Sequence, residues 1–251
     1  ITPTGTGSIL ATLRPGANGI TLSPSGRLFV NTTSISDSLW EVDPQGVNPP
    51  QLILENQGFF LNAMDVGPDG NLYAPSWLGN QTILKIDPDS GASEEVASGF
   101  DDPLAVKFNH QGQLHVLDQT AREVVRIDLT TGEKTVVSEA PENADNFTFD
   151  LNDRLYISSA QDGAVRKLTP GGRLRKLNPS GFVLPGGLVF MEQGTRDRLF
   201  LADFFSLREF SLSPSANRAL EVDVDGIVFG NPASIFGPVA IADNGDGNLI
   251  I

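Results

Sequence analysis

One pattern recurs six times along the chain and constrains its fold more than any other feature. Each copy contains a small or polar residue, a stretch that alternates apolar and polar side chains, and a tight turn that ends in Gly or Asp. Leu follows the turn, and in most copies an aromatic residue follows Leu. The copies are about 41 to 50 residues apart, a period that indicates a repeat architecture. Their turns end at Gly26, Gly70, Gly112, Asp153, Asp197 and Gly247.

A second pair of strand-like segments follows the turn in most copies. One segment alternates apolar and polar residues, as in Leu39–Asp43, Ile83–Asp87 and Val124–Asp128, and a shorter one follows, as in Glu133–Val137. Alternation of period two bounded by Gly, Pro, Asp and Asn predicts β-strands, and we find no amphipathic helix. Four strands per unit of about 40–50 residues are typical of a propeller blade. The sequence therefore predicts an all-β fold: a six-bladed β-propeller with four antiparallel strands per blade, forming a single domain over residues 1–251.

The two ends of the chain predict how the ring closes. Ser8–Leu13 has the pattern of a fourth strand with no blade before it, and the chain ends at Ile251 within the second strand of the sixth copy. Together they give a last blade that the N-terminal strand completes and that lacks only its third strand. Closure of this kind removes open sheet edges. We expect this blade to be truncated at the C-terminus and the natural protein to continue past residue 251.

Charge and composition narrow the range of partners. The formal net charge of −14 argues against nucleic acid, because binding phosphates requires clustered Lys and Arg. The absence of Cys excludes disulfides and thiolate metal sites. No apolar run approaches the ~20 residues of a membrane-spanning helix. The compartment stays open, with a secreted or periplasmic location slightly favoured, because residue 1 is Ile and a removed leader is compatible with that start.

The first strand of every propeller blade lines the central channel, so the residue that opens each copy lies at one mouth of the channel. Carboxylate and amide oxygens are ligands of hard cations, and we predict that Asn18, Asn62 and Asp145 bind Ca²⁺ or another divalent cation. The alternative, which the residue types alone favour, is that these side chains bond backbone groups where the strands begin. The six opening residues are Asn18, Asn62, Leu104, Asp145, Gly186 and Val239.

Aromatic residues concentrate in the loops of the same mouth face. Ligand sites are commonly clefts lined by aromatic side chains with a few polar groups, and we predict a small-molecule ligand at the channel mouth. The aromatic residues that break the repeat are predicted to contact it, with packing as the alternative: Trp77, Phe204, Phe205 and Phe236. Others recur just before the first strand of a blade and are interpreted as packing between blades: Phe59, Phe100 and Phe182.

The usual catalytic constellations are missing from the sequence. His115 takes the position that aromatic residues fill in most other copies, and His110 lies in a turn of the opposite face. These are the two histidines of the chain, whereas a Ser–His–Asp arrangement would need one at the mouth. No phosphate-binding or dinucleotide-binding loop is present. The sequence leaves the catalytic residues unassigned.

Phrases such as Pro24–Val30 and Pro68–Tyr73 give the chain a family resemblance over essentially its whole length. It resembles the six-bladed superfamily that contains NHL-repeat proteins and the SMP-30/gluconolactonase/regucalcin-like and paraoxonase-like hydrolases. In the gluconolactonase-like members, a Glu, an Asn and an Asp hold a divalent cation at the mouth, and the cation polarises a lactone carbonyl. Asn18-Gly19 matches their Asn-Gly pair. Phe236-Gly237-Pro238 is similar to their Glu-Gly-Pro stretch, with Phe in place of the ligand.

Two functions from different classes follow. The resemblance implies a divalent-cation-dependent hydrolase of a lactone or ester with a fairly apolar substrate, in which Asn62 and Asp145 occupy further ligand positions. The alternative is a non-catalytic NHL-like propeller that binds a ligand or a protein. It is favoured because Asp145 is the single carboxylate among the six opening residues. A lyase of the virginiamycin B type is a third option, but it needs a histidine at the mouth, which this sequence lacks.

Overall fold

The computed structural model describes residues 9–33, 36–177, 182, 184–193, 196–203, 206–211, 219–222, 241–243 and 249–250. Over these residues its regular structure consists of β-strands, so the predicted all-β class is confirmed. No helix in these ranges has the length and apolar character needed to cross a membrane.

The strands form antiparallel sheets in chain order. The first sheet contains β1 (Ala17–Leu22), β2 (Leu28–Thr32), β3 (Ser38–Val42) and β4 (Gln51–Glu55). The second contains β5 (Asp65–Val66), β6 (Leu72–Pro75), β7 (Ile83–Ile86) and β8 (Ser93–Ala97). The third contains β9 (Pro103–Phe108), β10 (Leu114–Asp118), β11 (Glu123–Ile127) and β12 (Lys134–Glu139). The fourth contains β13 (Ala144–Phe149), β14 (Leu155–Ser159), β15 (Ala164–Leu168) and β16 (Leu174–Lys176). The fifth contains β17 (Pro185–Gln193), β18 (Arg196–Asp203), β19 (Ser206–Ser211) and β20 (Ala219–Val222), and β21 (Ala242–Asp243) pairs with β22 (Leu249–Ile250).

The turns between first and second strands have the conformation that their sequence requires. Gly26, Gly70 and Gly112 have φ of 86°, 81° and 72°, in the left-handed region that glycine adopts without steric cost. Asp153 takes the same position in the fourth sheet with φ of 55°, which Asp tolerates better than most residues. These turns therefore set the period of the fold, and the end of each sheet opposite to them is the mouth end. There the first strand begins, the second ends and the third begins.

Packing between sheets arranges them as a propeller. The first strands of consecutive sheets contact one another, and β21 contacts both β17 and β1. The second strands β2, β10 and β14 are buried along their whole length, because neighbouring sheets cover both of their faces. Apolar clusters fill the spaces between sheets, as Phe29 and Met64 do between the first and the second. The described residues show five complete four-stranded sheets and one pair of strands, and not the six blades, the last of them truncated, that the sequence predicts.

The predicted N-terminal strand Ser8–Leu13 is not formed over residues 9–13, the part of it that the structure describes. Residues 9–13 belong to no strand. Leu10, Ala11 and Leu13 instead pack beside the first sheet, in an apolar cluster that also contains Ile250. A fourth strand pairs with a third, and in the described ranges β21 and β22 have no third strand beside them. The segment therefore lies where ring closure requires it, but without the backbone ladder.

Candidate functional site at the channel mouth

Irregular strand pairing at the mouth end sets the positions of two predicted metal ligands. The pairing between first and second strands shifts register within residues 17–20 of the first sheet and 144–147 of the fourth. Asn18 and Asp145 therefore lie in equivalent β-bulges. A bulge bends its strand and redirects side chains, and bulges are common beside active sites.

Buried side chains of the second strands hold these bulges. Asn31 Oδ1 accepts a hydrogen bond from the N–H of Gly19 (2.9 Å), and Asn31 Nδ2 donates to a carbonyl oxygen of the second sheet (2.6 Å). Ser158 Oγ accepts from the N–H of Asn146 (3.1 Å) and donates to the carbonyl oxygen of Gly186 (2.8 Å). Each side chain thus joins the first strand of its own sheet to the chain of the next sheet. Neither role was predicted from the sequence, although both residues directly follow a Leu-aromatic-Val/Ile triplet, which was a usable signal.

Two of the three predicted metal ligands contact each other. Asn18 Nδ2 donates a hydrogen bond to Asn62 Oδ1 (2.9 Å), and the same oxygen accepts a bond from the N–H of Ala63 (2.8 Å). The Asn62 oxygen is therefore already hydrogen-bonded within the protein, as expected if the opening residues bond protein groups where the strands begin. Asn18 Oδ1 accepts no hydrogen bond from the part of the chain that the structure describes.

Asp145, the third predicted ligand, has a carboxylate that accepts no hydrogen bond from the described residues. Its residue is half-buried, and no described group donates a hydrogen bond to its oxygens. Burial disfavours the charged form and raises the pKa of Asp145 from 3.8 to about 6. Partly removing a carboxylate from water without a donor is costly, and acids perturbed in this way concentrate at functional sites.

The donor set fits a cation only in part. Among the residues that the structure describes, no group of three or more His, Cys, Asp or Glu side chains could hold a metal ion. A cation at the mouth would therefore depend on one carboxylate and on amide oxygens. The oxygens that accept no hydrogen bond from the described residues are those of the Asp145 carboxylate, on the fourth sheet, and Asn18 Oδ1, on the first. Within the described ranges no hydrogen bond joins Asp145 to Asn18 or Asn62.

Several other acids at the mouth end bond the backbone instead. Asp118, at the end of β10, accepts three hydrogen bonds from loop N–H groups at 2.8, 3.0 and 3.1 Å. Asp37 accepts three from residues 58–60 at 2.6 to 3.2 Å, and the bonds of Asp203 include one from the N–H of Leu184 (2.9 Å). These carboxylates fix the loops that lead from one sheet to the next. This role was not predicted from the sequence, although Asp at the end of an apolar second strand recurs there.

Trp77 is hydrogen-bonded to Asp102, an acid at the start of the third sheet. It lies half-buried in the loop between β6 and β7 and donates a hydrogen bond from Nε1 to Asp102 Oδ1 (2.7 Å). Burial raises the pKa of Asp102 above its usual value, and the negative charge of Asp118 adds to that effect while the bond from Trp77 opposes it. The pair joins the second sheet to the start of the third.

The other aromatic residues divide into two sets. Phe204, Phe205 and Phe236, predicted to bind the ligand, lie outside the described residues. The phenylalanines that were interpreted as packing between blades do lie in or against inter-sheet apolar clusters: Phe59, Phe100 and Phe182.

Neither histidine lies at the mouth end. His115 is 3% exposed, its ring packs on Phe149 with centroids 4.8 Å apart, and burial lowers its pKa to about 4. His110 lies in the turn between β9 and β10, where its N–H donates to Asp153 Oδ1 (2.8 Å). Both placements agree with the sequence analysis.

Comparison with known proteins identifies the fold and no closer relationship. No family model matches the chain, and no curated protein matches it. Solved structures do. The PQQ-bound aldose sugar dehydrogenase of Streptomyces coelicolor has a TM-score of 0.70 at 16% identity, with 95% of this chain and 88% of the dehydrogenase covered. A proposed gluconolactonase has a TM-score of 0.68 at 16% identity, with 93% and 83% covered.

A virginiamycin B lyase from Staphylococcus aureus has a TM-score of 0.64 at 17% identity, with 92% of this chain and 76% of the lyase covered. The chain spans only 66% and 56% of two longer proteins from Bacteroides thetaiotaomicron that it also matches. At these identities the likeness concerns the fold, and the chain has the β-propeller fold that these proteins share.

Proposed function

We propose that the ring has six blades. Five four-stranded sheets are complete, and the pair β21–β22 contacts the first strands of both the fifth and the first sheet. Apolar clusters join the pair to both of these neighbours. A crystal structure in which another sheet separates β21 from β1 would contradict this count.

We propose further that the mouth end binds a small molecule, as in gluconolactonase-like propellers, and that the protein is a divalent-cation-dependent hydrolase of a lactone or ester. The observation that carries the proposal is Asp145, a half-buried carboxylate with no described donor and a pKa raised to about 6. A cation near Asp145 would restore the stabilisation that this carboxylate lacks. The net charge of −14 supports a small molecule rather than nucleic acid as partner.

The residues with uncommitted oxygens would hold the cation, namely Asp145 through its carboxylate and Asn18 through Oδ1. When bound, a divalent cation supplies a Lewis acid that polarises a carbonyl group. Asn62 acts through its bond to Asn18, which fixes the rotamer of that amide. Trp77 offers an apolar surface to the remainder of the substrate.

A non-catalytic binding propeller is the second candidate, and a specific observation favours it. The Asn62 oxygen is already used by two donors, which leaves one carboxylate and one amide for a cation. Fewer charged ligands weaken a hard-cation site. One matched protein from Bacteroides thetaiotaomicron is named an auxiliary nutrient binding protein. A lyase receives no such support, since one matched virginiamycin B lyase is described as inactive after a His-to-Ala substitution and this chain has no histidine at the mouth end.

Thermal stability with calcium separates the two candidates. A ligand that binds only the native state at 100 times its Kd stabilises that state by about 2.7 kcal/mol. We expect 5 mM Ca²⁺ to raise the Tm of the wild type relative to chelator, and Asp145→Asn to abolish the rise while Asp101→Asn keeps it. Calcium-dependent hydrolysis of δ-valerolactone or phenyl acetate, lost in Asp145→Asn, would support the hydrolase. Absence of both effects would refute it in favour of the binding propeller.

A further inference from the structure

The loop that carries Trp77 is cross-linked to the start of the third sheet. Besides the bond from Trp77 Nε1 to Asp102, Gln81 Nε2 donates to the carbonyl oxygen of Asp101 (2.8 Å). The acceptor side of these bonds is itself fixed, because buried Asp118 accepts the N–H groups of both Asp101 and Asp102 at 2.8 and 3.0 Å. The indole is therefore held at its polar edge by a backbone segment that has little freedom to move.

The partner of the indole is an unfavourable choice if its role is only to satisfy one N–H group. Asp102 lies close to the negative charge of Asp118 and is partly removed from water, and both effects disfavour its ionised form. A neutral Asn or Gln could accept the same bond without that cost. Charged acceptors form shorter and stronger hydrogen bonds than neutral ones. The arrangement therefore gives up some stability for a firmer hold on the ring.

The orientation of the ring has a consequence for the ligand. Since Nε1 is engaged, the part of the half-buried indole that still meets solvent is apolar. We propose that Asp102 is a positioning residue that holds Trp77 as one wall of the mouth-end ligand site, where the ring selects ligands with a flat apolar face. The inference rests on the proposed function for the place of the ligand, but not for the reaction.

Fluorescence tests the positioning without any ligand. The chain has two tryptophans, and Trp40→Phe leaves Trp77 as the single emitter. In this background we expect Asp102→Ala to raise the acrylamide quenching constant of Trp77 about two-fold and to lower its anisotropy. Asp102→Asn, which keeps an acceptor oxygen, should fall between parent and Asp102→Ala. Asp101→Ala, in the adjacent exposed residue, should match the parent. Quenching and anisotropy that are the same in Asp102→Ala and parent would overturn the inference.

Hydrolysis of phenyl acetate tests the selection. We expect Asp102→Ala to raise KM about five-fold, the effect of one hydrogen bond of ordinary strength, with kcat retained. Trp77→Phe keeps a ring but removes the N–H, so it tests the same bond from the donor side if Asp102→Ala does not fold; an unchanged KM in Trp77→Phe would overturn the inference. If the wild type hydrolyses nothing, the proposed hydrolase fails, and the quenching series still decides whether Asp102 positions the ring.

Discussion

Replacing Asp145 with Asn should stabilise the protein at neutral pH. The substitution keeps the size of the side chain and removes its charge. In the wild type, the ionised carboxylate is half-buried without a described donor, so ionisation costs free energy in the folded state that it does not cost in the unfolded chain. A residue retained for binding or catalysis at the expense of stability behaves in this way.

The magnitude follows from the shift in pKa. A rise from 3.8 to about 6 corresponds to about 3 kcal/mol, at about 1.4 kcal/mol per unit. Because water reaches part of the side chain, screening reduces this figure, and we expect about 1 to 3 kcal/mol. For a chain of this length, 1 kcal/mol changes Tm by roughly 2–4 °C. Asp145→Asn should therefore melt roughly 2–12 °C higher than the wild type at pH 7.5.

The sign of the pH dependence distinguishes this mechanism from a general improvement in packing. A carboxyl whose pKa is raised in the folded state does not affect stability below its unfolded pKa of about 4. As pH rises from about 4 to about 6, its ionisation lowers the free energy of unfolding, and the loss is complete above about 6. The gain from Asp145→Asn should therefore be full at pH 7.5 and vanish near pH 4. Scanning calorimetry in chelator at both pH values measures it, with Asp101→Asn as control. A variant that melts below the wild type at pH 7.5, or a gain equal at both pH values, would refute the reasoning.

Three further predictions concern stability. Asp118→Ala removes the acceptor of three loop N–H groups and should lower the free energy of unfolding in urea by about 2 to 4 kcal/mol, while Asp101→Ala should change it by less than about 0.5 kcal/mol; equal effects would contradict the anchoring role. Gly163→Ala places a Cβ against the carbonyl oxygen of Phe182 and should cost about 2 to 4 kcal/mol, whereas Gly172→Ala, at a similar φ with open space around it, should cost about 1 kcal/mol; a smaller cost at Gly163 would show that the Phe182 segment gives way. His115→Phe restores the aromatic residue of the other sheets and should remove the loss of stability that the buried imidazole causes as pH falls from about 6.5 to about 4, visible as a Tm difference from the wild type that is more favourable near pH 4 than at pH 7.5; an equal difference at the two pH values would place the lost stability elsewhere.

The strands were predictable because their signal is repeated and local. Each turn residue, each Leu-aromatic step and each alternating third strand carries its own information, and six weak copies reinforce one another. The prediction of an N-terminal strand over Ser8–Leu13 was wrong for a physical reason. Its apolar residues predict burial correctly, but a β-strand also requires a partner with free backbone groups, and the pattern of Leu10 and Leu13 contains no information about that partner.

The site was less predictable because hydrogen-bond partners lie far apart in sequence. The repeat shows where Asn62 lies in its blade. The hydrogen bond that its Oδ1 accepts from Asn18, however, joins residues 44 positions apart. The same holds for Trp77 and Asp102, whose bond crosses between two sheets. Residue type and position place a side chain at the mouth end. Whether an oxygen there is free or committed depends on neighbours that only the folded ring brings together.

Asp145 and His115 oppose each other in the pH dependence of stability, which explains why single variants are needed to detect either. Between about pH 4 and 6.5, raising the pH removes stability through Asp145, whose folded pKa is raised, and adds stability through His115, whose folded pKa is lowered. The two contributions have opposite signs, so they partly cancel in the wild-type profile over this range. Asp145→Asn should expose the rise due to His115, and His115→Phe should expose the fall due to Asp145. Because one group lies at the mouth and the other in an inter-sheet core, the effects of the two substitutions should add in the double variant within about 0.5 kcal/mol.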